Sequence, residues 1–156
     1  MSSILAKLYN LYLSASVFPS SWKVASVVPV FMGAGEHSEP SNDCPISLLP
    51  VISKVFECLI NEQLLRHLED NELLIDCQFG FHHSRSTGDL LSLIKDHFNR
   101  ALELKGEARL VALDSSKAFD KVWHKGLLHK LQSYGVSGVM HSIISALLTN
   151  SKMKVY

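Results

Sequence analysis

A chain of 156 residues, 47% of them hydrophobic and 19% charged, has enough apolar material for one core and too little length for two independent ones. Its 15 Lys and Arg balance 15 Asp and Glu, so no global positive field attracts a polyanion, and any such partner must be held by a local site. No run reaches the roughly 18 apolar residues of a membrane span, and Lys7, Asn10 and several serines interrupt the opening stretch, so the expectation is an intracellular protein without a secretory leader or a membrane span.

In chain order, Ile4, Leu8 and Leu11 recur at helical spacing and predict a short helix over residues 3–16, ending near Pro19. Residues 24–31 are β-branched and apolar; Pro29 cannot donate a ladder hydrogen bond, which points to an edge strand. Residues 32–42, with Gly33, Gly35 and Pro40, read as a hairpin tip or connection. Ile52, Val55, Phe56, Leu59, Ile60, Leu64 and Leu68 follow the 3.6 period and predict a long helix over 51–70. After a loop through Gly80, Ser86 and Asp89 form a weak capping box ahead of Leu90, Ile94, Phe98, Ala101 and Leu102, a second long helix that Gly106 breaks. Residues 109–113 are apolar and of strand length, leading into Asp114. Two shorter helices follow, one around Leu127, Leu128 and Leu131 closed by Gly135, the other around Val139, Ile143, Ile144 and Leu147. Residues 151–156 look like a strand just beginning and left unpaired. The result is an α/β mixture of the α+β kind, helix-rich, without regular βαβ alternation. Neither a Gly-x-Gly-x-x-Gly nor a P-loop pattern is present.

Cys44, Cys58 and Cys77 are unequally spaced, and none of the eight histidines pairs at i, i+4, so disulfides, structural zinc and histidine metal sites are not expected. The chemistry concentrates in residues 111–124, Val-Ala-Leu-Asp-Ser-Ser-Lys-Ala-Phe-Asp-Lys-Val-Trp-His. A carboxylate at the end of a buried strand is held at a fixed position, as a catalytic metal ligand must be. From composition and spacing alone, Asp114 reads more readily as a cap on the turn, with Asp120 and the lysines as a solvated face.

The segment from Leu113 to His124 resembles the first palm motif of reverse transcriptases of non-LTR (LINE-like, jockey-type) retrotransposons. Further blocks fall in that family's order: Trp22-Lys23 with Val28-Pro29-Val30-Phe31; Asn42 with Pro45-Ile46-Ser47-Leu48-Leu49 and Ser53-Lys54-Val55-Phe56-Glu57; Gln78-Phe79-Gly80-Phe81 with Arg85-Ser86-Thr87. The resemblance implies a right-hand polymerase domain over 1–156, incomplete, with residues 19–108 as fingers and 109–156 as the start of a partial palm. It implies Asp114 as catalytic residue and first ligand of a two-Mg²⁺ site. Ser115 and Phe119 would lie at the nucleotide, Phe119 crowding the sugar 2′-carbon, although a core aromatic beside Trp123 would read the same. Gln78, Gly80, Phe81 and Arg85 would lie near template and primer, with a plain surface arginine the alternative for Arg85. The implied partners are an RNA template, a DNA primer and dNTP.

Three departures remove positive charge. Cys44 stands where the family carries an arginine toward the triphosphate, Met32 where a basic residue is usual, and His82 where arginine is common. A thiol offers neither the charge nor the donor fork that phosphate calls for, so nucleotide binding at Cys44 should be degenerate and weak. No Tyr-Ala-Asp-Asp-like hairpin occurs before Tyr156, and Asp120 is a poor substitute, so the expectation is a polymerase fragment inactive by itself. The alternatives are a non-enzymatic remnant with exposed apolar faces, or a helical protein-interaction module built on residues 51–70 and 87–104.

Overall fold

The computed structural model describes all residues except 1, 2, 32, 34, 37, 40, 41, 116, 117 and 156, with the backbone only at 155. Alternation along Val24–Phe31 (β1) decides its two faces: Ala25 and Val27 are buried, whereas Val28 and Val30 face outward. Antiparallel to it runs Asp43–Leu48 (β2), in a register that sets Val30 against Cys44, Val28 against Ile46 and Ser26 against Leu48. On the other flank Lys152–Val155 (β3) pairs in parallel with residues 24–27, giving the order β2-β1-β3.

That order corrects two expectations. β1 is the central strand, and the closing segment is paired rather than loose. Among the described residues β3 pairs only with residues 24–27, so no described ladder bond is asked of the missing N–H of Pro29. Its antiparallel partner is a second proline, Pro45. Neither residue can donate, so the pair suits a position of the ladder that asks for no N–H from either.

The helices are Ser3–Ala15 (α1), Val51–Asp70 (α2), Thr87–Glu103 (α3), His124–Ser133 (α4) and Gly138–Leu148 (α5). α2 occupies the interval that its apolar period predicts, opening where the Lys54 N–H meets the Pro50 carbonyl at 3.1 Å. α3 starts on a full capping box: Ser86 Oγ accepts from the Asp89 N–H, and the Asp89 carboxylate accepts from the Ser86 N–H at 2.7 Å. α4 ends as Gly135 predicts. With φ at +81° the glycine turns the chain back, the Val136 N–H reaches the Leu131 carbonyl, and both of these side chains are buried together. α5 has no basic residue in its last turn; instead Lys23 donates its ammonium to the carbonyls of Ala146 and, at 3.0 Å, Thr149.

Two compact units result. The first joins residues 1–67 to 123–156, and the second is residues 68–122. The core of the first gathers Tyr9, Phe18, Phe56, Ile60, Leu131, Val136, Ile143 and Ile144. Phe56 is its centre, wholly buried and with the rings of Tyr9, Phe18, Trp22 and Tyr12 all within 6.4 Å between centroids. Beneath Trp22, the buried Ser53 hydroxyl donates to Glu57 Oε1 at 2.6 Å, which satisfies a polar group that could not otherwise be buried cheaply.

The second unit is different in kind: α3 has no fully buried residue, and Leu91, Leu93, Leu102 and Leu104 are exposed. Residues 109–113 form no strand, a third correction. Leu110, Val111 and Leu113 face solvent, and among the described residues no strand lies alongside to accept their ladder. An apolar run supplies the side chains of a strand but not its hydrogen-bonding partner.

Candidate functional site

Asp114 follows that unpaired run and is itself exposed, as is Ser115. Beyond it, residues 116 and 117 lie outside the described residues, and a short 3-10 turn, Phe119–Lys121, presents Phe119 at 80% exposure. Phe119 is therefore not a core aromatic, and Trp123 is exposed as well. Among the described residues no three His, Cys, Asp or Glu side chains converge into a group that could hold a metal ion. Mg²⁺ is held by carboxylates together with water and phosphate oxygens. One carboxylate on an unpaired segment does not fit a two-metal site, so no chemical step is assigned to a metal on these residues.

Cys44 is exposed on β2, opposite Val30, and alternation puts it on the same sheet face as Ile46 and Val28. This is the outward, apolar face of the sheet. Met32, the second position of reduced charge, lies outside the described residues.

The segment from Gln78 to Arg85 carries most of the hydrogen bonds described at the candidate site. Arg85 Nη1 donates to the carbonyls of Asp76 and, at 2.9 Å, Gln78, while Nη2 meets Asp76 Oδ1 at 3.4 Å. Its guanidinium also lies 5.8 Å from the Phe79 ring centroid. The Gln78 side-chain amide donates to the Gly80 carbonyl at 3.0 Å. His82 Nδ1 stands 3.3 Å from Glu69 Oε1, and the same oxygen accepts the His83 N–H at 3.3 Å. Arg85 thus turns three of its guanidinium N–H donors toward this loop.

Among the described residues two titratable groups depart from ordinary behaviour. The Ser86 hydroxyl and N–H hold the Asp89 carboxyl below the usual carboxylate value, and burial pushes the Tyr9 phenol up. Tyr9 donates its hydroxyl to the Ile52 carbonyl at 2.9 Å and so ties α1 to α2; it has no part in the site.

Sequence reasoning singled out Gln78, Gly80, Phe81 and Arg85 but not Asp76 and Glu69, which the structure places in the same loop network. The charge of Asp76, nine residues before Arg85, was the available signal.

A mixed α/β chain with this motif order around Asp114 defines the class: the chain belongs to the reverse transcriptase (RNA-dependent DNA polymerase) family, whose model matches residues 38–156. Among curated proteins it is 34% identical over 128 residues, 82% of its length, to the probable RNA-directed DNA polymerase from transposon BS of Drosophila melanogaster. It is likewise 34% identical over 126 residues, 81% of its length, to the RNA-directed DNA polymerase from mobile element jockey of the same species. A third relative is the retrovirus-related Pol polyprotein from type-1 retrotransposable element R1 of Bradysia coprophila, 33% identical over 125 residues, 80% of the chain. These relatives bear out the resemblance to non-LTR, jockey-type elements. The chain spans 14% of the length of the first two and 12% of the third. No helix among the described residues is long and apolar enough to cross a membrane.

Proposed function

We propose that this chain is the fingers and first palm motif of an RNA-directed DNA polymerase that copies a retrotransposon RNA, with residues 19–108 as fingers and 109–156 opening the palm. The observation that carries this reading is the family match over residues 38–156, a range that includes the motif around Asp114. Asp114 is the first carboxylate of the catalytic centre, and its exposed position leaves it open to further ligands. In the intact family Mg²⁺ would supply the Lewis acidity for deoxynucleotidyl transfer. Phe119, exposed five residues on, is the side chain that would meet the sugar of a dNTP, with Ser115 beside the carboxylate. Gln78, Gly80, Phe81 and Arg85 belong to the template and primer side. Cys44 weakens the nucleotide site because a thiol on an apolar sheet face cannot neutralise a triphosphate. Since a single carboxylate cannot hold two metals, these 156 residues do not polymerise unaided.

The test is a hybrid in which this chain is joined to the remaining palm of an intact relative. Mg²⁺-dependent primer extension on an RNA template is expected, with Asp114→Asn abolishing it. Extension that survives this substitution removes Asp114 from the centre, and a hybrid that folds without extending removes the polymerase reading. The exposed apolar side chains of α3 favour a second reading, a helical interaction module. For that reading the isolated chain would be a monomer with a cooperative melt by circular dichroism and size exclusion.

A further inference from the structure

β3 joins the first unit through its backbone rather than through its side chains. Its described partner in the sheet is β1, in the parallel register that sets Val24 against Lys152 and Ala25 against Met153. A parallel ladder of this length gives few hydrogen bonds, each slightly weaker than in an antiparallel pair. Side chains add little, because Ser151, Lys152, Met153 and Lys154 are all exposed. Among the described residues, the apolar packing on the core ends at Leu147 and Leu148, the last turn of α5. A cavity of about 210 Å³ lies beside β3, lined by Phe18, Trp22, Ala25 and Leu147 from the body of the unit and by Lys152 and Met153 from the strand.

One further tie lies at the root of the strand. Lys23, the residue before β1, donates its ammonium to the carbonyls of Ala146 and, at 3.0 Å, Thr149, three residues before β3. The Thr149 hydroxyl in turn meets the Ser145 and Ala146 carbonyls at 3.0 and 3.2 Å. The corner between α5 and β3 is therefore fastened to the start of β1, although the two lie 126 positions apart in sequence.

We infer that β3 is a strap that opens and closes on β1 while the core stays folded, and that Lys23 is the latch at its root. Local opening is drawn from segments with few buried apolar contacts and solvent-exposed backbone hydrogen bonds. That describes β3 and not α5, whose Ile143 and Ile144 are buried. Opening frees the ladder groups of residues 24–27 that face β3 and takes Lys152 and Met153 out of the cavity wall. Closing restores both. Lys23 is in this account a positioning residue, since it touches the turn before β3 and acts on the strand through it. Nothing in this device depends on the polymerase reading.

The experiment is native-state hydrogen exchange on the full 156-residue chain, followed residue by residue by NMR at several low denaturant concentrations. In wild type the β3 amides bonded to β1 are expected to exchange about tenfold or more faster than the α2 amides around Phe56 and Ile60. Their rate should hardly rise with denaturant, because a local opening exposes little surface. Lys23→Met keeps the length of the stem and loses the ammonium; it is expected to speed β3 exchange by about 10–100-fold, as loss of a charged hydrogen-bond donor would, with α2 unchanged. Lys23→Arg keeps charge and donors and is expected to recover most of the β3 protection. Exchange of the wild-type β3 amides at the α2 rate, with the α2 denaturant dependence, would mean that strand and core open only together and would overturn the inference. A Lys23→Met chain in which α2 and β3 lose protection equally, or which no longer folds, would make Lys23 a general support of the unit and overturn its role as latch.

Discussion

Replacing Phe56 by alanine is the most direct test of how the first unit holds together. The ring is fully buried, stacked on Tyr9 at 5.0 Å between centroids and bordered by Phe18 and Trp22, both at 5.8 Å. Truncation removes the transfer free energy of the ring and leaves a cavity, because Tyr9 and Phe18 are themselves fixed by neighbours and cannot collapse fully into it. Phe→Ala changes of this kind cost about 3–5 kcal/mol. The lost aromatic pairing contributes within that figure, at roughly 0.5–1.5 kcal/mol for a well-placed pair. For a domain of this length each kcal/mol moves the melting temperature by about 2–4 °C. Phe56→Ala should therefore lower Tm by about 6–20 °C, or leave the unit unfolded where total stability lies near the low end of about 5–15 kcal/mol. Trp22 reports on the change directly, since its ring packs on Phe56, whereas Trp123 is already exposed. The assay is thermal unfolding followed by tryptophan emission and by far-UV circular dichroism. Phe56→Leu, which refills part of the space, should recover a large share of the loss. A Tm within 2 °C of wild type for the alanine variant, about 1 kcal/mol or less, would mean that the aromatic cluster is not the core of this unit.

Two further outcomes are expected. Because hydrogen bonds from Ser86 lower the Asp89 pKa in the folded chain, the ionised carboxylate stabilises the start of α3 at neutral pH. That contribution is present above the usual aspartate value of about 3.9 and fades as pH falls through the lower folded value. Asp89→Ala should thus remove part of the acid-induced loss of helical ellipticity, and identical acid profiles would refute the role of the box. In the hybrid polymerase, Cys44→Arg restores a permanent charge with a fork of donors on β2 and should lower the KM for dNTP by about 5–100-fold, as one charge-assisted contact would. An unchanged KM would take Cys44 out of the nucleotide site.

The parts legible in the sequence are those where a local rule is sufficient. The period of Ile52, Val55, Phe56, Leu59 and Ile60 predicts α2 over the interval it occupies, Ser86 with Asp89 marks the start of α3, and Gly135 marks the end of α4. What local rules miss is partnership. Pro29 suggested an edge strand, yet β1 is paired on both flanks, on one of them by residues 152–155 from far along the chain. β2 hid behind Pro45, whose tolerance depends on meeting Pro29. The apolar run before Asp114 carries the side chains of a strand without a neighbour, so the same composition that builds β1 leaves Leu113 in solvent. At the candidate site, the engagement of Arg85 by Asp76 and Gln78 could be seen only once the loop was folded. Lys23 is comparable: a basic residue after a tryptophan in sequence, a cap on α5 in space.

The first unit is discontinuous, and this sets an order of events during synthesis. Val24 and Ala25 leave the ribosome long before their parallel partners Lys152 and Met153 are made. The same holds for the core, where Tyr9 and Phe56 await Leu131 and Ile143. The β1–β2 hairpin and α2 can form locally as they emerge, whereas closing the sheet and core must wait until the whole of residues 68–122 has passed. Throughout that interval the apolar faces of α1 and α2 are exposed on the nascent chain, the period in which chaperone capture competes with folding. Pausing of translation within α3 would lengthen this interval.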